Sequence, residues 1–251
     1  MVELKNKYID SATYVVTFQT NEKIRLKQAD AEKAFGLMFP NVQSIQTNVP
    51  DDYDHNAPRL IMQVAKKTLT ITQLAAQLTL SFKSSSKPLP EQLDIIEKNI
   101  NSFCSAVQEF INVGFIEHQG FIISLNYKTK QTQQEMSEHL FKQFFRVKPY
   151  GEVASANFRI GFKTSDLLFI NFEASAYEIR ETKVKHGENK IVIKDIPVTE
   201  EGYNLKVDIN NRPMFMADSK SLPYIEAGKL IRKQMRNAIE NEIDNFMGFT
   251  I

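Results

Sequence analysis

Apolar positions recur along this chain with two periods, and the switching between them predicts an α+β fold. Tyr14-Val15-Val16-Thr17-Phe18 reads as a buried opening strand, rich in β-branched and aromatic residues. A short helix from about Ala29 to Leu37 follows, closed by Phe39-Pro40 because proline disfavours helix in the residue before it. Asn48–Pro58 is a loop, after which Leu60–Ala65, Thr68–Thr72 and Gln77–Phe82 alternate as an antiparallel meander, with Leu78, Leu80 and Phe82 on one face.

The period then lengthens. Ser84-Ser85-Ser86-Lys87-Pro88-Leu89-Pro90 turns into a helix start, since proline is tolerated in a first turn. Leu93, Ile96, Ile100, Phe103, Val107, Phe110 and Ile111 make one apolar stripe, and Gly114 is the expected stop. Phe121–Tyr127 is a strand that leads into a second helix. There Thr132 and Glu135 have capping-box spacing, and Met136, Leu140, Phe141 and Phe144 form the apolar face.

Alternation returns with Phe158, Ile160 and Phe162, a turn at Thr164-Ser165-Asp166, and Leu168, Ile170, Phe172, Ala174 and Ala176. A further strand pair is expected at Ile179–Lys185 and Lys190–Ile196. Leu205, Val207 and Ile209 oppose Lys206, Asp208 and Asn210, the mark of a strand with one wet face. A last helix runs from about Leu222 to Met247. The order predicts antiparallel sheet with long amphipathic helices packed on one face. It also suggests two similar halves, residues 1–128 and 129–251, whether as separate units or one continuous domain.

Composition narrows the function more than the fold. The 251 residues carry 31 basic and 30 acidic side chains, a net charge of +1, whereas a nucleic-acid binder usually shows a basic excess. Cys104 is alone, so no intrachain disulfide can form. The first residues lack a signal-peptide core and no apolar run reaches membrane-helix length, so a soluble, cytoplasmic protein is expected.

Candidate chemistry is sparse. Asp52, Asp54 and His55 are the densest group of metal-ligand types, but their loop lacks the glycine and distal glutamate of a calcium site and reads better as a solvated acidic turn. Glu135 and His139 share a helix face without a second histidine. Glu117-His118 has no nucleophile nearby in sequence, and Cys104 flanks the apolar stripe as a packing residue would. Arg180, Lys183, Lys185, Lys190 and Lys194 form a basic hairpin, and Arg232, Lys233 and Arg236, joined by Lys229, a second basic patch. Both could track a phosphate backbone, yet acidic neighbours nearly balance them. The common glycine-rich phosphate cradles and the nucleophile elbow are absent.

Leu37-Met38-Phe39-Pro40, Pro58-Arg59-Leu60, Gly120–Tyr127, Leu205–Asn210 and the closing helix ending at Phe246 give the chain an order of elements that resembles a sporadically distributed family of bacterial proteins, often found near mobile or defence genes. The chain departs from it at Ile123-Ser124-Leu125-Asn126-Tyr127, where that family tends to carry arginine and tyrosine. The resemblance implies a fold and a setting, not an activity. The expectation is therefore a non-enzymatic interaction or regulatory protein that binds a protein partner or itself, without cofactor or membrane. Nucleic-acid binding is the alternative, and a metal-dependent enzyme assembled from distant residues the second.

Overall fold

In the computed structural model, which describes residues 6–83, 87–180, 196–213 and 222–249, the alternating segments join in a nine-stranded antiparallel sheet. Strand β1 (Asn6–Phe18) leads through helix α1 (Gln28–Phe35) to β2 (Ile45–Gln46), β3 (Leu60–Val64), β4 (Lys67–Ile71) and β5 (Ala75–Ser81). Helix α2 (Leu89–Phe110) follows, 22 residues long. The chain continues as β6 (Ile116–Lys128), α3 (Gln133–Phe144), β7 (Asn157–Lys163), β8 (Phe169–Arg180), β9 (Val198–Asn210) and α4 (Tyr224–Asn237). The spatial order β2-β3-β4-β5-β1-β6-β9-β8-β7 puts β1 and β6 side by side in the middle, so the sheet is continuous across residue 128.

The meander, the hairpin of β7 and β8 and the wet-faced β9 form where alternation places them. Strand β1 is longer than its pattern suggests. A bulge between Ile9 and Ser11 lets Ile9 and Ala12, three residues apart, share the buried face, and the period of two fails there. Ile9, Ala12, Tyr14, Val16 and Phe18 are buried, whereas Tyr8, Ser11, Thr13, Val15 and Thr17 are only partly covered. The buried rows meet the helices. Phe103 of α2 lies edge-on to Tyr14 at 6.2 Å between ring centroids, and His139 of α3 lies against Tyr203 of β9 at 5.7 Å.

Local signals explain most helix ends. Thr132 and Glu135 make the reciprocal capping box at the start of α3. Gly114 does not stop α2. The helix ends at Phe110 with Ile111 already extended (φ −120°, ψ 133°), so no left-handed residue is needed, and the Gly114 N–H instead donates to the Asn112 side chain. The closing helix passes from α4 through a π-helical turn at Ala238–Glu242 to a last turn at Ile243–Phe246. Of the strand pair expected at 179–185 and 190–196, Ile179 and Arg180 end β8, and residues 181–195 lie outside the described residues. No described helix is long and apolar enough to cross a membrane.

Gly202 of β9 shows how closely the strands approach. A Cβ there would come within 2.1 Å of the Tyr127 carbonyl oxygen and 2.9 Å of the Tyr177 ring. Gly202→Ala should therefore destabilise the fold by about 1–3 kcal/mol. The expected sign is a lowered urea midpoint with an unchanged slope. An unaltered midpoint would mean that the strands part there at no cost.

Candidate functional site

An outermost strand leaves one side of its backbone unpaired, so sheet edges are where a β protein most readily meets another chain. The two edges of this sheet differ. Strand β2 is only two residues long, a blunted edge, whereas β7 runs for seven residues and pairs only with β8 among the described residues. Along β7, Phe158, Ile160 and Phe162 face the helices, and Arg159, Gly161 and Lys163 point the other way.

A phenylalanine cluster backs this edge. Phe158 stacks on Phe144 of α3 with centroids 3.8 Å apart, Phe246 stacks on Phe172 of β8 at 4.8 Å, and Phe162 meets Phe172 at 6.1 Å. The cluster is not sealed, for Phe162 is 41% and Phe145 39% exposed, and Val147 beyond α3 is 65% exposed. Rigid aromatic surface beside unpaired backbone is what strand-adding interfaces use.

The sheet face that carries Thr13 and Asp208 is largely polar and only partly covered. Register aligns Thr68, Thr79, Thr13, Ile122, Asp208 and Asn171 across five strand pairings. The next row holds Ser81, Ser11, Ser124, Lys206, Glu173 and Arg159. At one end of this face the Glu200 carboxylate accepts hydrogen bonds from the hydroxyls of Tyr8 (2.5 Å) and Tyr177 (2.6 Å) and pairs with Lys128. Burial acts to raise the Glu200 carboxyl, but the bonds from Lys128, Tyr177 and Tyr8 outweigh it and hold it below its ordinary value. Burial and the same carboxylate push both tyrosines up. The cluster ties β1, β6, β8 and β9 together with its acceptors and donors matched, which suits a clamp better than a proton-transfer site.

The residues singled out in the sequence are largely engaged in structure. The acidic loop wraps two arginines. Arg25 donates to Asp51 at 2.6 Å and to the carbonyls of Thr47 and Val49. The fully buried Arg59 donates to the carbonyls of Ala57 (2.8 Å), Pro50 (3.0 Å) and Asp54 (3.3 Å). The hydrogen bond from Arg25 holds the Asp51 carboxyl below its usual range, with burial opposing and the charge of Arg59 adding. Asp54 accepts the Asn56 N–H at 2.9 Å, which lowers it too, and the His55 ring meets Gln73. Among the described residues no three His, Cys, Asp or Glu side chains converge as a metal site would require, so Asp52, Asp54 and His55 do not assemble into one.

The other candidates fare similarly. Glu135 serves the helix cap, while His139 contacts the Met247 carbonyl at 3.3 Å and stacks on Phe249. Burial pushes the His139 imidazole down. Arg180 pairs with Glu178, and Lys183, Lys185, Lys190 and Lys194 lie outside the described residues. Arg232 and Arg236 share α4, where Arg236 is held by Asp94, Glu97 and Glu240, and Lys233 is exposed.

No family model matches the chain, and no curated protein or solved structure matches it either. The edge and the clamp therefore stand on their own geometry.

The clamp has a pH signature. Because the folded Glu200 carboxyl lies below its unfolded value, its contribution to stability is present above that unfolded value and is lost as pH falls through the folded one. Wild-type stability should fall more steeply than that of Glu200→Gln across this acid window, measured by urea denaturation at a series of pH values. Parallel curves would show that the carboxylate is not held by its neighbours.

Proposed function

We propose that the chain is a non-enzymatic interaction protein that self-associates by pairing β7 with β7 of a second copy. The observation that carries this reading is a seven-residue edge that pairs only with β8 among the described residues and is backed by a partly exposed aromatic cluster. Strand addition draws affinity from main-chain hydrogen bonds and specificity from alternate side chains.

Symmetry restricts the register. A two-fold axis perpendicular to the sheet keeps the faces of both copies aligned, so directly opposed residues share a face and the axis passes midway between one residue and its own copy. Centred on Arg159, the pairing sets that arginine against itself. Centred on Gly161, it sets Arg159 against Lys163 of the partner subunit. Centred on Ile160, it sets Arg159 against Gly161 of the partner subunit, Asn157 against Lys163 of the partner subunit, and Phe158 against Phe162 of the partner subunit. Of these three registers the last alone avoids opposed like charges, and it also joins the aromatic residues. In this reading α1–α4 close one face of the sheet in each copy, and residues 1–128 and 129–251 are similar halves of one continuous sheet. The setting is the bacterial defence or mobile-element one that the resemblance implies.

Sedimentation equilibrium over a range of concentrations tests the reading. Asn157→Lys, which opposes Lys163 of the partner subunit, should weaken the dimer, and Asn157→Glu should tighten it. At about 0.2–1 kcal/mol for each of two symmetric pairs, either change is roughly 2- to 30-fold in Kd. A monomer at every concentration, or shifts of the same sign for both variants, would overturn it.

A further inference from the structure

Arg232 and Arg236 stand one turn apart on α4, and their surroundings differ. Arg236 is held by Asp94 (3.1 Å) and Glu97 (3.3 Å) of α2 and by Glu240 (3.0 Å). Arg232 meets no carboxylate among the described residues, and its hydrogen bond is a long one, 4.0 Å, to the Cys104 sulfur. The cause lies in the sequence of α2. Its first turns carry Asp94 and Glu97, whereas the later turns present Asn101, Ser105 and Gln108 towards α4.

Between these neutral side chains and α4 lies a cleft of about 180 Å³. Lys229 lines it together with Arg232, and none of the described residues around it is acidic. Two cations, several neutral donors and no counter-ion among the described residues leave the charge of the recess unbalanced, which favours an incoming anion.

The floor of the cleft is fixed from below. Tyr14 Oη donates to Gln119 Oε1 at 2.7 Å, and Gln119 Nε2 donates to the Tyr224 carbonyl at 2.8 Å, all of it buried. Gly228 lets α4 come down onto this pair. A Cβ there would lie 2.9 Å from Gln119 Oε1 and 3.1 Å from both the Tyr14 hydroxyl and Arg232. The floor is thus held in place before any ligand arrives, which reduces what binding must order.

We propose that this cleft binds a phosphate group. A tetrahedral oxyanion is small enough to enter, matches the fork of a guanidinium, and has acceptors to spare for Lys229 and the neutral donors. A planar carboxylate, with two oxygens, would leave several of them unmet.

Cys104 lines the cleft and is the single cysteine of the chain, so its alkylation reports occupancy. Inorganic phosphate at constant ionic strength should slow alkylation of Cys104 saturably and raise the melting temperature. Arg232→Gln should weaken that protection roughly ten- to hundred-fold, as expected for one charge-assisted hydrogen bond. Lys233→Gln, on an exposed position of the same helix, should leave it unchanged. Asn101→Asp, also at an exposed position, places a carboxylate opposite Arg232 without touching α4 and should abolish protection in a folded protein. O-phosphoserine and a nucleoside monophosphate, compared as probes, distinguish a peptide-borne from a nucleotide-borne phosphate by which protects at lower concentration. No protection by any phosphate probe, equal protection by acetate, or full protection in Asn101→Asp would overturn the proposal.

Discussion

The antiparallel pairing of β1 with β6 is the constraint on which the other contacts depend. It joins strands far apart in sequence, from Asn6 opposite Lys128 to Phe18 opposite Ile116, so it carries a larger loop-closure cost than the local hairpins. On its two sides lie β5 and β9, with β4 and β3 beyond β5 and with β8 and β7 beyond β9. It also sets the chemistry of both faces. Tyr14 and Phe121 on one side become the bed for α2 and α4, while Thr13 and Ile122 on the other stay open to solvent.

Much of this was legible in the sequence wherever a signal is local. The stripe from Leu93 to Phe110 and the capping box of Thr132 and Glu135 need only neighbours three or four residues away, and both elements form. The bulge at Ile9 hid the first half of β1, because an extra residue destroys alternation without altering which side chains are apolar. The candidate sites were not legible. That β7 is an edge depends on the order in which strands assemble, which no local pattern encodes. The Glu200 clamp collects Tyr8, Lys128 and Tyr177 from three other strands, and spacing along the chain says nothing of such a meeting.

The poverty in catalytic residue types has a structural counterpart. Most charged groups that look reactive in isolation are consumed in holding the fold: Asp51 by Arg25, Glu135 by the helix cap, Arg236 by three carboxylates. Among the described residues, β7 pairs on one side only and the cleft beside Arg232 is lined without a carboxylate.

Arg59 carries a consequence for motion. Its guanidinium lies wholly inside the protein, bonded to carbonyls of Pro50, Asp54 and Ala57, and beside Asp51. Those partners all belong to the loop that precedes β3, while the arginine itself begins that strand's edge of the core. Opening the loop would strand a charge in the interior, and withdrawing the charge would strip the loop of its ligands. The two movements are one event. The loop behaves as a latch with a single, concerted release, and its amide hydrogens should exchange together, as one unit.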